Sequence, residues 1–126
     1  PEKDRLQNEA VRLGISGRVH FVGHVESIAF LASRAEFCLH TSFLEGFPNT
    51  VLEYRCVNSR VFATPSTKSI SDLPGVNIIS YSTTEAVERI RMILNQETST
   101  SDMKWEEYMK ENSIESYLNK YFMKTL

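Results

Sequence analysis

The run HTSFLEGFPNTVLEY, from His40 to Tyr54, carries two carboxylates, Glu45 and Glu53, on either side of a Gly-Phe-Pro-Asn turn. An ionised carboxylate only accepts hydrogen bonds, and it can take two adjacent hydroxyl donors at once. With Pro48 as the first residue of a helix, where its missing N–H costs nothing, Glu53 stands roughly 7 to 8 Å along the axis at 1.5 Å per residue. That separation is too long for one shared metal or proton. It suits two different parts of an extended polar ligand. A helix start between the two acids adds free amides and about half a positive charge, a setting for phosphate, and Gly46 lets the backbone approach closely. A sugar nucleotide, with hydroxyls at both ends and phosphates between, has this layout. By spacing alone, the pair equally describes one acid favoured by the helix dipole and one solvated helix residue.

Such a loop needs a strand before it and a helix after it. Residues 36–41 read as a strand, mostly apolar as when both sheet faces are covered. Residues 48–57 read as the helix, with Asn58 in a left-handed cap. Further strands are expected at 18–23, 60–64 and 76–80. A helix over 3–13 places Leu6, Ala10, Val11 and Leu13 on one face and stops at Gly14-Ile15. Residues 27–35 have a helical pattern. Ser82-Thr-Thr-Glu85 has capping-box spacing and opens a helix to about Asn95 with Ala86, Val87, Ile90, Ile93 and Leu94 inward. After a polar linker at 96–101, helices are expected at 102–110 and 113–123. Strands alternating with helices imply a Rossmann-like α/β fold, with a parallel sheet of about four strands flanked by helices. In such sheets ligands bind beyond the carboxyl ends of the strands, where the quoted loop lies.

The 126 residues suit one core. A net charge of −2 with interleaved signs argues against a nucleic-acid binder. Cys38 and Cys56 have no paired spacing and read as reduced cytoplasmic thiols. No apolar run reaches the roughly 20 residues of a membrane span. His20 and His24 lie about 13 Å apart on an extended chain, too far for one metal, whereas His40 ends a strand beside Thr41-Ser42 and is a candidate polar neighbour of the ligand. Neither a G-x-S-x-G elbow nor a Walker loop occurs. Trp105, Tyr108, Met109, Tyr117, Leu118, Tyr121 and Phe122 recur at helical spacing near Lys110, Lys120 and Lys124. Core packing or domain docking is the first reading of them, and a membrane or partner face the second.

One pattern joins several of these segments. Phe21-x-Gly23-x-Val25, Ser42, Glu45-Gly-Phe-Pro-Asn-x-Val-Leu-Glu53 and Val61-x-Ala-Thr64 together resemble the C-terminal, donor-binding domain of family 4 retaining glycosyltransferases of the GT-B fold. The resemblance runs well from Leu6 to about Thr64 and by element order beyond. It implies that residues 1–126 are a partial C-terminal domain, with the helices of 102–126 docking on an N-terminal domain of the same enzyme. Glu45 would be the catalytic-site acid on the donor sugar's hydroxyls, and Glu53 would hold the ribose. Gly46, Phe47 and Asn49 would offer backbone amides to sugar or diphosphate. Leu52 would pack near base or ribose, and Gly23, Val25 and Glu26 would line the base.

The implied reaction moves a sugar from a nucleotide-diphosphate donor to an acceptor hydroxyl with retention, in building a glycan, polysaccharide or glycolipid. Neither a cofactor nor a metal is expected. The implied partners are the sugar nucleotide, a glycan or lipid-linked acceptor and the N-terminal domain; nucleic acid is excluded. The implied location is cytoplasmic, including the cytoplasmic face of a membrane with peripheral association. The isolated chain is expected to be inactive. Departures from the pattern are Asn58-Ser-Arg60 for the usual Gly-x-Pro, Tyr54 and Arg55 for small helix residues, and Pro65 to Ile70 for a Gly-Gly-x-x-Glu-like loop. A stand-alone, non-catalytic nucleotide- or sugar-binding module is the alternative. A third reading is an α/β interaction domain without the ligand.

Overall fold

The computed structural model describes residues 2–96 and 102–113. Helix α1 (Glu2–Arg12) ends as expected, because Gly14 turns left-handed at φ +67°. The Gly14 amide then donates to Val11 O at 2.9 Å and the Ile15 amide to Ala10 O at 2.9 Å, the paired bonds of a Schellman cap. Of the expected apolar face only Ala10 is buried, while Leu6, Val11 and Leu13 are exposed. The helix packs mainly on the 3-10 turn Ser16–Arg18 that follows it, not on the sheet.

Residues 19–25 correct the reading of 18–23 as a strand. Half-buried Val19, Phe21 and Val25 alternate with exposed His20, Val22 and His24 in strand fashion. Alternation alone does not make a strand, which needs a neighbour to take its N–H and C=O groups, and this segment joins no ladder. The sheet of the described residues therefore has three strands: β1 (Cys38–His40), β2 (Val61–Ala63) and β3 (Val76–Ile78). They are parallel in the order β1-β2-β3, with Cys38 opposite Val61 and Val61 opposite Val76. The α/β, Rossmann-like class holds.

Central β2 is buried at every position, as a parallel strand covered on both faces should be. Val61 and Ala63 face one cluster with Ala32, Val51, Ile70 and Trp105, carried respectively by α2 (Ala29–Ala32), α3 (Asn49–Val57), α4 (Lys68–Ser71) and α6 (Asp102–Glu111). Phe62 faces the other with Ile79 and the Ala86, Ile90, Ile93 and Leu94 side of α5 (Thr83–Leu94). Val87, expected inward, is exposed. Ser82 precedes α5 without a side-chain cap bond; its amide donates to Ser80 Oγ at 3.1 Å. Helix α4 occupies a stretch read only as a loop.

Asn58 also differs from expectation, with extended backbone at φ −143° in place of a left-handed cap. Its side chain does the joining. The Asn58 amide donates to Ala32 O at 2.8 Å and Ala35 O at 2.9 Å, and its oxygen accepts the Arg60 amide at 2.8 Å. The end of α2 is thereby tied to the entry of β2. Asn58→Ala takes this partner from Ala35 O and the Arg60 amide, while Ala32 O keeps the Ala35 amide at 3.2 Å, and is expected to lower stability by about 1–3 kcal/mol. An unchanged urea midpoint would refute this role.

At the C-terminal end, Trp105 is buried in the core, with Tyr108 stacked on it at a centroid distance of 5.6 Å. Met109 is exposed. The helix expected at 113–123, with Tyr117, Leu118, Lys120, Tyr121, Phe122 and Lys124, lies outside the described residues apart from Ser113, which follows α6 as a bend.

Candidate functional site

The chain leaves β1 at His40 and reaches α3 through residues 41–48, and bonds from the segment after β2 hold this loop. The Thr64 amide donates to His40 O at 3.0 Å and Thr64 Oγ1 donates to Ser42 O at 2.5 Å. Further on, the Glu45 amide donates to Ser66 O at 3.2 Å, and Ser42 Oγ donates to Leu44 O at 3.2 Å. Both strand ends thus fix the backbone that carries Glu45. Sequence reading quoted Thr64 only as part of a pattern; its hydroxyl is the fastening.

Pro48 is fully buried and caps α3, which begins one residue later than expected, at Asn49. Such one-residue shifts are ordinary at helix ends. The Asn49 amide donates to Phe47 O at 3.0 Å, so it is already engaged. The Gly46 and Phe47 amides make no hydrogen bond among the described residues and remain open to a ligand at the positive end of the helix.

Glu45 Oε1 lies 3.3 Å from His40 Nε2, with both side chains partly shielded. Glu53 is exposed on α3, and its carboxylate has no hydrogen bond or ion pair among the described residues. Leu52 is half-buried and packs on the core beneath the helix. Gly23 makes a left-handed turn at φ +67°, Val25 is half-buried and Glu26 exposed. No hydrogen bond among the described residues links residues 23–26 to the 41–48 loop. The loop and α3 therefore bring together Glu45, Gly46, Phe47, Asn49 and Glu53, while residues 23–26 stand on a separate segment.

Two features escaped the sequence reading. Phe43, 80% exposed, stacks on Tyr81 at a centroid distance of 5.2 Å and 9° between planes, and Tyr81 Oη donates to Phe43 O at 3.2 Å. Leu44 and Phe47, which flank Glu45-Gly46 in the same loop, are exposed as well. The other is Arg55, buried at 4% exposure, with Nε donating to Pro74 O at 3.2 Å and its guanidinium 5.0 Å from the Trp105 ring. No local signal marks these long-range pairs.

Under α3, burial raises the Cys38 thiol above its ordinary value, and burial, then the nearby Cys38 and Glu53 charges, raise Tyr54. Both groups hold their protons longer in the folded chain than in the unfolded one. Their contribution is present below the unfolded values, about 8.5 for a thiol and about 10 for a phenol, and for each group is lost over the range above that value, as pH rises through the higher folded one. The urea midpoint should fall over that range, and less steeply in Cys38→Ala. Equal slopes would contradict the assignment.

Among the described residues no group of three or more His, Cys, Asp or Glu could hold a metal ion, and no helix is long and apolar enough to cross a membrane. The family model of the group 1 glycosyl transferases matches residues 1–115. No curated protein and no solved structure matches the chain.

Proposed function

From the membership of this chain in the group 1 glycosyl transferase family, we propose that its 41–53 loop and helix bind the nucleotide-diphosphate sugar of a retaining, GT-B-type enzyme. The family supports glycosyl transfer between a sugar donor and an acceptor in general. The observation that carries the finer reading is the placement of Glu45 and Glu53 on one loop-helix unit at the carboxyl end of a parallel sheet, with the Gly46 and Phe47 amides open between them.

In this reading Glu53 accepts the two ribose hydroxyls and Glu45 the hydroxyls of the transferred sugar. The free amides and the positive end of α3 face the diphosphate, whose leaving charge they stabilise without rearranging. Positioning is the main contribution of this domain. Phe43, Leu44 and Phe47 form an apolar rim that limits water around the sugar. The acceptor, a glycan or lipid-linked glycan, is held by an N-terminal domain of the same enzyme, so the 126-residue chain alone transfers no sugar. The work of the full enzyme is assembly of a glycan, polysaccharide or glycolipid in the cytoplasm or at its membrane face. One observation favours the alternative of a non-catalytic binding module. Ser66-Thr67 leads straight into α4 where the resembled domains carry a glycine-rich loop.

The test is an NMR titration of the chain with UDP, GDP, ADP and CMP, repeated on Glu53→Gln. One nucleotide should shift amides in residues 41–53, with affinity lowered roughly tenfold or more in the mutant, as expected for hydrogen bonds to a charged acceptor. Shifts that the mutation leaves untouched would dismiss Glu53 as the ribose clamp.

A further inference from the structure

We propose that His40 is a positioning residue for Glu45, its Nε2–H donating to the carboxylate and fixing the direction in which that carboxylate faces the sugar. The second half of the statement rests on the reading of Glu45 given above. The first half stands on geometry. Nε2 lies 3.3 Å from Glu45 Oε1, is closed off from solvent and has no well-directed hydrogen-bond partner among the described residues.

An imidazole nitrogen in that place is either a donor or a lone pair. A lone pair would face the carboxylate oxygen of Glu45 at 3.3 Å, too close for a water to come between them, which is repulsive. A proton on Nε2 turns the same contact into a charge-assisted bond. The present distance is longer than such a bond at its best, and a small rotation of Glu45, still 31% exposed, closes it. The backbone on both sides is already fixed: His40 O accepts the Thr64 amide at 3.0 Å, and the Glu45 amide donates to Ser66 O at 3.2 Å. Only the Glu45 side chain is left to be oriented, and His40 is the polar side chain within reach of it. The Ser66 hydroxyl is likewise buried without a partner, so this end of the sheet holds two polar atoms whose bonding is incomplete.

Long-range proton–nitrogen NMR on the chain reads the imidazole tautomer directly. His40 should carry its proton on Nε2, and Glu45→Gln should shift that nitrogen. A proton on Nδ1, or a spectrum indifferent to Glu45→Gln, overturns the proposal whether or not any nucleotide binds. The second arm compares UDP-glucose, GDP-mannose and ADP-glucose with UDP, GDP and ADP. For whichever pair binds, His40→Leu should weaken the sugar nucleotide roughly tenfold more than the bare diphosphate, and His40→Gln, which keeps an N–H at similar reach, should recover part of the loss. Equal weakening of both ligands, or no recovery, would reduce His40 to a packing residue. Binding of none of the six with the Nε2–H tautomer intact would sink the donor-site reading of Glu45 while leaving the His40–Glu45 link in place.

Discussion

Phe62→Ala is expected to lower the unfolding free energy by about 3–5 kcal/mol, a large share of the roughly 5–15 kcal/mol that holds an ordinary domain together. Phe62 has no exposed surface, sits in the middle of the central strand and meets Phe37 edge-to-face at a centroid distance of 5.6 Å. It is the fully buried member of the cluster under α5, and α5 has few other deep contacts. Truncation removes the apolar transfer energy of the ring and leaves a cavity. Strands on both sides prevent β2 from moving to fill it. A thermal or urea unfolding curve checks this, and a loss below about 1.5 kcal/mol would mean that the α5 layer collapses onto the gap. Phe62→Leu, closer in volume, should recover most of the loss.

A comparable loss is expected from Gly75→Val, for a different reason. Gly75 and Gly23 have nearly the same backbone, φ +74° and φ +67°. Around Gly23 a Cβ would meet nothing within 4 Å. At Gly75 it would lie 2.5 Å from Arg55 Nε and 2.8 Å from Nη2. Arginine often yields, but this one is buried between the Pro74 carbonyl and the Trp105 ring. Left-handed backbone costs an alanine about 1–2 kcal/mol and a β-branched residue more. Displacing a buried guanidinium from its hydrogen bond adds about 1.5–3 kcal/mol. Gly75→Val should therefore lose about 3–5 kcal/mol, and Gly23→Ala only the backbone part. Equal losses at the two glycines would show that Arg55 moves aside freely.

These two residues also show what the sequence made legible. The end of α1 could be read because Gly14-Ile15 is a local signal that acts locally, and the start of α3 because Pro48 suits the first positions of a helix. Residues 60–64 around Phe62 could likewise be read as a strand. Residues 18–23 misled because period-two alternation reports one-sided burial, while a strand needs a partner, and the partner is a fact of the whole sheet. Asn58 misled in a related way: asparagine is at home in a left-handed cap, yet its amide found the carbonyl that ends α2, 26 positions away, and that of Ala35 just beyond it, 23 positions away. Arg55 stood out only as a replacement for a small helix residue, and its burial against Pro74, Gly75 and Trp105 depends on distant parts of the chain.

The candidate site divides along the same line. Glu45, Gly46, Phe47 and Asn49 fall within five positions, so the turn that groups them could be read directly, and Glu53 follows from helical rise. The amide already used by Asn49, the Phe43–Tyr81 stack and the Ser66 carbonyl that takes the Glu45 amide depend on the chain returning after β2. Nothing within a few residues of the loop encodes that return.

Trp105 is the one indole of the chain, and it lies beneath α3 against a guanidinium. Its ultraviolet emission therefore reports one event, the seating of α6 on the core. A blue-shifted spectrum shielded from aqueous quenchers marks the docked helix, and a red-shifted, quenchable one marks a helix that has lifted while the sheet stays intact. The molecule thus carries its own optical gauge of whether α6 is engaged.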